Sequence, residues 1–139
     1  MESIIFVNPE DKYAEHKGDR LPLGLALLDA YVKHLGYSSK LIDLNHYTEN
    51  YLFEEIKKGC DYVCFSVSTP NYPYCVKLSK KIREINHGIK IIAGGNHITD
   101  MPNEKTSLET FDHLVVGDGE EAIKKILEKD TSKIIISKP

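Results

Sequence analysis

Residues 61–73 read DYVCFSVSTPNYP, an apolar run that passes into a cluster of serine, threonine, asparagine and proline. An apolar run without alternation predicts a strand at residues 62–67 that is buried on both faces, as in a parallel sheet covered by helices. The polar cluster predicts a loop at residues 68–73, because these residue types favour turns. The apolar residues that follow recur at helical spacing, at Cys75, Leu78, Ile82 and Ile85. This stretch therefore predicts a strand, a loop and a helix in succession.

The rest of the chain repeats this strand–loop–helix pattern. Further strands are predicted at residues 4–7, 40–44, 89–93, 113–116 and 134–136. Further helices are predicted at residues 21–35, 52–56 and 122–127. Such alternation predicts an α/β fold, a three-layer doubly wound (flavodoxin-like) parallel sheet of strand order 2-1-3-4-5 with a possible short sixth strand. We predict that residues 1–139 form a single domain.

Composition and charge restrict the partners and the location of the protein. The chain carries a net charge of −3 and has no stripe of lysine and arginine, so we do not expect it to bind nucleic acid. No apolar stretch reaches the roughly 20 residues of a membrane span, and the N-terminus lacks the basic region of a secretory signal. The 3 cysteines do not suggest a disulfide framework. We therefore expect a cytoplasmic protein with no membrane contact.

In a doubly wound sheet, ligands bind outside the carboxyl ends of the strands, at the switch point between strands one and three. The loops that leave these ends span residues 8–20, 66–73, 94–101 and 117–121. The loops after strands three and four are rich in uncharged hydroxyls, amides and glycine, which suit a large ligand with many amide groups better than a phosphate. The same residue types dominate ordinary turns, so composition alone leaves a ligand site and a plain set of loops equally open.

Residues 117–122, GDGEEA, match the G-x-G-x-x-A dinucleotide pattern between a strand and a helix. A pyrophosphate binds bare backbone N–H groups at the positive end of a helix, whereas three carboxylates crowd this turn. Acidic residues instead favour the start of a helix, with Asp118 near its cap. We therefore do not expect a nicotinamide cofactor here.

Cys60 and Cys64 have the C-x-x-x-C spacing that begins an iron–sulfur motif. The three-cysteine motif of radical enzymes needs another cysteine at the position of Val67. On a strand the two cysteines would point to the same face, and Cys64 lies in an apolar run. We therefore expect buried structural thiols, with Cys75 on the apolar face of its helix, and no iron–sulfur cluster within this chain.

Two other classes of α/β protein are disfavoured by the residues they require. A response-regulator receiver needs an aspartate at the end of strand three, where this chain has Ser66 and Ser68. A flavodoxin needs a phosphate loop rich in serine and threonine after strand one, where this chain has NPED at residues 8–11. Neither a phosphoacceptor nor a flavin site is therefore expected.

Five stretches together resemble one known family, the N-terminal cobalamin (B12)-binding domain of B12-dependent radical SAM enzymes. They are LPLGLALLDAYVKHLGY (21–37), KLIDLN (40–45), DYVCFSVSTPNYP (61–73), IKIIAGGNHITDMP (89–102) and FDHLVVGDGEEAI (111–123). The most specific pieces are the PLGLA helix start, the GG-x-H-x-T loop and the GDGE turn, in that order. The resemblance runs from about residue 4 to residue 128 and implies a Rossmann-like domain.

The resemblance implies that a corrin ring lies across the carboxyl edge of the sheet, with its nucleotide tail beside the strands. Gly94 and Gly95 would let the tail approach the backbone, so a bulky side chain at either should abolish cofactor retention and leave the fold intact. His97 is expected to be a hydrogen-bonding residue; no residue is assigned as catalytic or as a metal ligand. The implied cofactor-binding residues are Asn8, Pro9, Ser66, Ser68, Thr69, Asn71, Gly94, Gly95, Asn96, His97, Thr99, Gly117, Gly119 and Glu120.

The chain departs from the family in two places. The best-known B12 domains carry D-x-H-x-x-G after strand one, and residues 14–18, AEHKG, do not fit that pattern. The radical SAM branch generally lacks it as well; His16 is a candidate lower cobalt ligand, set against a solvated loop histidine. The barrel with its C-x-x-x-C-x-x-C motif is also missing, so we expect an excised domain or a stand-alone module that catalyses nothing alone.

Two functions are open on this reading. The first is a cobalamin-binding module that presents the corrinoid to a radical SAM catalytic domain, in cis or in trans, as methyl donor or redox auxiliary. The second is a degenerate, B12-free α/β domain that serves as a structural or protein-interaction module. Retention of a corrinoid by the folded protein distinguishes the two.

Overall fold

A computed structural model describes residues 2–9 and 22–137 of the chain. Its strands are β1 (Ser3–Asn8), β2 (Ser38–Asp43), β3 (Tyr62–Ser66), β4 (Lys90–Gly94), β5 (His113–Val116) and β6 (Ile134–Ile136). Its helices are α1 (Leu23–His34), α2 (Glu49–Lys57), α3 (Tyr72–Ile85), α4 (Asn96–Asp100), α5 (Lys105–Thr110) and α6 (Gly119–Leu127). Of these helices, none combines the length and the apolar composition that a membrane span requires.

The strands form a 6-stranded parallel sheet in the order β2-β1-β3-β4-β5-β6. The predicted α/β class and strand order are therefore confirmed, including the short sixth strand. The register aligns the carboxyl ends of neighbouring strands, since Asn8 lies beside Asp43 and Ser66 beside Gly94. One edge of the sheet thus gathers the loops in which a ligand site is expected.

Side-chain alternation along the strands divides the core in two. On β3, Tyr62 and Cys64 pack with α1 and α6, on what we call the α1–α6 face of the sheet. Val63 and Phe65 pack with α2 and α3 on the opposite α2–α3 face. Burial on both faces explains why the strands read as unbroken apolar runs.

The structure differs from the sequence prediction mainly after β3 and β4. Helix α3 already begins at Tyr72, inside the segment predicted as a loop, with Pro73 in its first turn, where a missing N–H costs nothing. Helices α4 and α5 were not predicted, because their 5 and 6 residues are too few for a 3.6-residue periodicity to be visible. Helix α6 begins at Gly119, three residues before the predicted start.

The three cysteines are free, buried thiols, as expected, but one prediction about them is wrong. Cys60 packs on the α2–α3 face and Cys64 on the α1–α6 face. They do not share a face because Cys60 precedes β3, so strand alternation does not apply to it. Burial raises the pKa of Cys60 to about 11 and those of Cys64 and Cys75 to about 12, so all three remain neutral thiols at pH 7.

Glu55 is a buried carboxylate that lies between two lysines, and its environment predicts how the free energy of unfolding depends on pH. Its oxygens lie 2.6 Å from Lys40 Nζ and 2.6 Å from Lys58 Nζ. Hydrogen bonds from these ammonium groups lower the Glu55 pKa from 4.5 to about 2. Because the native pKa is depressed, the stabilisation is present above pH 4.5 and is lost as the pH falls towards 2. We expect the free energy of unfolding, measured in urea at stepped pH, to fall across this window.

The variant Glu55→Gln should show a weaker fall over the same pH range. Glu109, whose side chain is 66% exposed, offers a matched control, and Glu109→Gln should keep the native profile. Equal flattening of the profile in both variants would contradict the assignment to Glu55.

Candidate functional site

An open cleft of about 470 Å³ lies at the carboxyl edge of the sheet, on the α1–α6 face. Its floor is formed by the ends of β3, β4 and β5, through Ser66, Gly94 and Val115. Helix α1 lines one side, with Leu25 and Leu28, and the start of α6 lines the other. The cleft therefore lies at the predicted carboxyl edge, but the strands that line it are β3, β4 and β5, and not β1 of the predicted switch point.

Two glycines leave space in this cleft. A Cβ atom added at Gly24, in the first turn of α1, would have no heavy atom within 4 Å. A Cβ atom added at Gly94 would lie 3.5 Å from Val115 Cβ, an ordinary van der Waals contact. Neither glycine is required by the packing of the protein around it, so both positions keep the cleft open.

Gly95 differs from its neighbour, because the backbone itself requires a glycine there. Its φ is +102°, and an added Cβ would lie 2.7 Å from Val67 O and 2.8 Å from Val67 N. The same backbone groups of Val67 bond to the residues before and after Gly95. The Val67 N–H donates to Gly94 O at 2.7 Å, and Val67 O accepts from the His97 N–H at 3.1 Å. The expectation that a bulky residue at Gly95 would leave the fold intact is therefore wrong.

The turn between β5 and α6 brings Gly117, Gly119 and Glu120 to the cleft. Gly117 has a φ of +91°, and a Cβ there would lie 2.9 Å from Ser137 O. A Cβ at Gly119 would lie 3.0 Å from Leu28 Cδ1, so this glycine lets α6 approach α1. Helix α6 begins with Asp118 in the N-cap position and with two glutamates in its first turn, as expected for an acidic helix start.

Ser66, Gly94, Gly95, Gly117, Gly119 and Glu120 are thus the predicted site residues that line the cleft. The remaining ones lie outside its lining, and most of them bond to other parts of the protein. At the end of β1, Asn8 Nδ2 donates to Asp43 Oδ1 at 3.0 Å, and Pro9 is buried. Asn96 is exposed in the first turn of α4.

Ser68 and Asn71 bond to each other in the turn that starts α3. The Ser68 N–H donates to Asn71 Oδ1 at 2.8 Å, and the Asn71 N–H donates to Ser68 Oγ at 3.4 Å. These bonds satisfy backbone groups that a helix start leaves open. The pair therefore has a sufficient structural role in the described part of the chain.

His97 is buried among protein partners beyond the cleft lining. Its Nδ1 lies 3.0 Å from Thr69 Oγ1, and its Nε2 pairs with the Glu104 carboxylate. Its ring stacks on Tyr72 at 4.2 Å between centroids, and the Tyr72 hydroxyl bonds to Ser107 Oγ at 2.6 Å. His97 is thus a hydrogen-bonding residue that joins the loop after β3 to the segment between α4 and α5.

Helix α4 connects three turns at the carboxyl edge. Its His97 N–H bonds to Val67 after β3, and its Thr99 Oγ1 accepts a hydrogen bond from the Gly117 N–H at 3.1 Å. Gly95, at the start of this helix, forms the turn that leaves β4. The rim of the cleft therefore depends on a helix that the sequence did not reveal.

Replacing His97 by alanine should destabilise the protein, because it removes the Thr69 bond and leaves the Glu104 carboxylate without its partner. We expect a loss of about 2 kcal/mol in the free energy of unfolding, measured in urea. The exposed His87 is the matched control, and His87→Ala should change the value by less than about 0.5 kcal/mol. Similar values for the two variants would show that the buried network contributes nothing.

Sequence reasoning missed several cleft residues because their apolar side chains also signal core. Leu25, Leu28, Cys64, Val115 and Ile123 line the cleft from the α1–α6 face. Gly24 could have been found, since it stands inside the PLGLA helix start. In residues 2–9 and 22–137, no three histidine, cysteine or acidic side chains meet as metal ligands would. His16 lies outside the described residues.

Comparisons with known proteins identify a matching family and solved structures with the same fold. The family described as the B12 binding domain matches residues 13–127. No curated protein matches the sequence. The N-terminal domain of the hypothetical protein TM0182 from Thermotoga maritima is 30% identical, with a TM-score of 0.60, over 90% of this chain and 97% of that one.

Two solved structures of the cobalamin-dependent S-adenosylmethionine radical enzyme OxsB share the fold. One has aqua-cobalamin bound and aligns with a TM-score of 0.74; the other has aqua-cobalamin and S-adenosylmethionine bound and aligns with 0.76. In both, the identity is 19%, and the alignment covers 95% of this chain and 19% of OxsB. The chain therefore spans about a fifth of the length of OxsB.

Proposed function

The chain belongs to the B12-binding domain family, and from that premise we propose that it is a cobalamin-binding module whose cleft receives the nucleotide tail of the corrinoid. Family membership confirms the predicted family and cofactor class. The observation that carries the proposal is the cleft at the carboxyl edge, kept open by Gly24 and Gly94. The corrin ring would then lie over that edge.

The dimensions of the cleft fit the tail of the cofactor. About 470 Å³ lies within the range of sites that bury a drug-sized ligand, which suits a base with its ribose and not a whole corrinoid. The ring must therefore remain outside the cleft. Leu23 and Leu27, which are 58% and 54% exposed at the start of α1, offer apolar contact beside the mouth.

The residues around the cleft supply binding and orientation. Ser66 Oγ and the Glu120 carboxylate can accept hydrogen bonds from amide or ribose groups, while the apolar walls exclude water. When bound, cobalamin supplies methyl-transfer or redox chemistry at its cobalt. Because the ring lies over the open edge of the sheet, the reaction itself would take place against a partner domain. The OxsB likeness supports a radical SAM domain as that partner, in cis or in trans.

The proposal is tested by mixing the purified protein with hydroxocobalamin, desalting, and recording the visible spectrum. We expect the corrin absorbance to elute with the protein at a ratio near one to one. A folded protein that retains no corrinoid would contradict the proposal and favour the B12-free structural or interaction module. Circular dichroism of the same sample establishes that the protein is folded.

A further inference from the structure

The deep part of the cleft is apolar on every described side. Cys64 and Val115 rise from the sheet, and both are less than a twentieth exposed, at 4% and 3%. Leu25 and Leu28 face them from α1, and Ile123 faces them from α6. Ser66 lies two residues further along β3, about 7 Å nearer the edge, so its hydroxyl is at the mouth.

Polar partners are missing at this depth among the described lining residues. Among the described residues that line the cleft, only Asp118 and Glu120 have charged side chains, and both are exposed at the rim. The described lining contains no asparagine, glutamine, histidine, lysine or arginine. The backbone of Cys64 lies between Phe6 of β1 and Ile92 of β4, so its polar groups serve the parallel ladders. The Cys64 thiol stays neutral and is a weak donor at best.

We propose that this cleft selects corrinoids whose lower base is an apolar aromatic of the benzimidazole class over corrinoids that carry adenine. The inference rests on the proposed function, since it assumes that the tail enters the cleft. Compared with dimethylbenzimidazole, adenine would bury an amino group and two more ring nitrogens without partners, which costs affinity. The methyl groups of dimethylbenzimidazole would instead gain from burial against Leu28, Val115 and Ile123.

The test is a spectroscopic titration with three corrinoids: hydroxocobalamin, its analogue with adenine as the lower base, and cobinamide, which lacks the nucleotide. We expect the benzimidazole form to bind about tenfold or more tightly than the adenine form, and cobinamide to bind more weakly than hydroxocobalamin. Equal affinity for the two complete corrinoids overturns the selectivity and leaves the proposed function standing. Equal affinity for cobinamide and hydroxocobalamin shows that the tail is not in the cleft. Binding of none of the three overturns the proposed function itself.

Variants at two buried cysteines test whether the preference between the two bases arises in the cleft. Cys64→Ser places a hydroxyl at the depth of the base and should reduce the preference for benzimidazole about threefold or more. Cys75→Ser makes the same change at a thiol buried on the α2–α3 face and should leave the preference unchanged. The quantity compared is the ratio of the affinities for the two complete corrinoids, in each variant and in the native protein. Properties of the unbound corrinoids affect this ratio equally in every protein and therefore cancel.

If Cys64→Ser does not fold, Val115→Thr makes a similar change from β5 and should have the same effect. A change in preference shared by the cleft variants and Cys75→Ser, or absent from a folded cleft variant, overturns the assignment.

Discussion

Replacing Gly95 by alanine is expected to destabilise the protein by about 3 kcal/mol or more. The residue has a φ of 102° and a ψ of −177°, a region of backbone conformation that is essentially restricted to glycine. An added methyl group would also lie 2.7 Å from Val67 O and 2.8 Å from Val67 N. Because these are backbone atoms of the segment that leaves β3, they can move only by breaking the hydrogen bonds on either side of Gly95.

Gly94→Ala is the matched control for this prediction, since it adds the same methyl group one residue earlier. Its nearest contact would be Val115 Cβ at 3.5 Å, so we expect a change within about 1 kcal/mol. Urea unfolding of the two variants under the same conditions measures the difference. Comparable small losses at both positions would show that the approach of Val67 does not constrain Gly95.

Filling the cleft is expected to reduce cobalamin retention by about a hundredfold or more without loss of the fold, if the tail binds as proposed. Gly94→Leu would project a side chain from the floor, and Gly24→Leu would project one from α1. Nothing lies within 4 Å of a Cβ at Gly24, so the backbone accepts a side chain there, and the rest of the leucine would extend into the cleft. Leucine also has a higher helix propensity than glycine, so its stability should rise slightly, by about 0.5 kcal/mol.

This pair separates a blocked cleft from a damaged protein. Retention is measured by the corrin absorbance after desalting, and stability by thermal melting of the same samples. A rise or no change in the melting temperature of Gly24→Leu, together with lost retention, is the expected combination. Undiminished retention in folded forms of both variants would place the cofactor elsewhere.

The cofactor-binding assignment of the other predicted residues remains a prediction, and their contacts explain why sequence alone could not settle it. Thr69 and His97 are 28 positions apart and meet only because β3 and β4 are neighbours in the sheet. Ser68 and Asn71 carry residue types that suit a ligand and a helix start equally well. A polar residue at a strand end can bind a ligand only through the donors and acceptors that protein groups leave free, and the sequence does not show which these are.

The sequence by itself determined the parallel sheet, its strand order and the family, because the apolar runs and the ordered motifs are local properties of the chain. Helices α4 and α5 were invisible, since one turn carries no period. Only the tertiary structure decided that the two adjacent glycines have different roles. Gly94 faces a cleft between α1 and α6, whereas Gly95 lies against the backbone of Val67, a residue distant in sequence. The two glycines look the same in sequence. Only the atoms that pack around each one in the folded protein show that Gly94 leaves space for a ligand and that Gly95 leaves space for the neighbouring backbone.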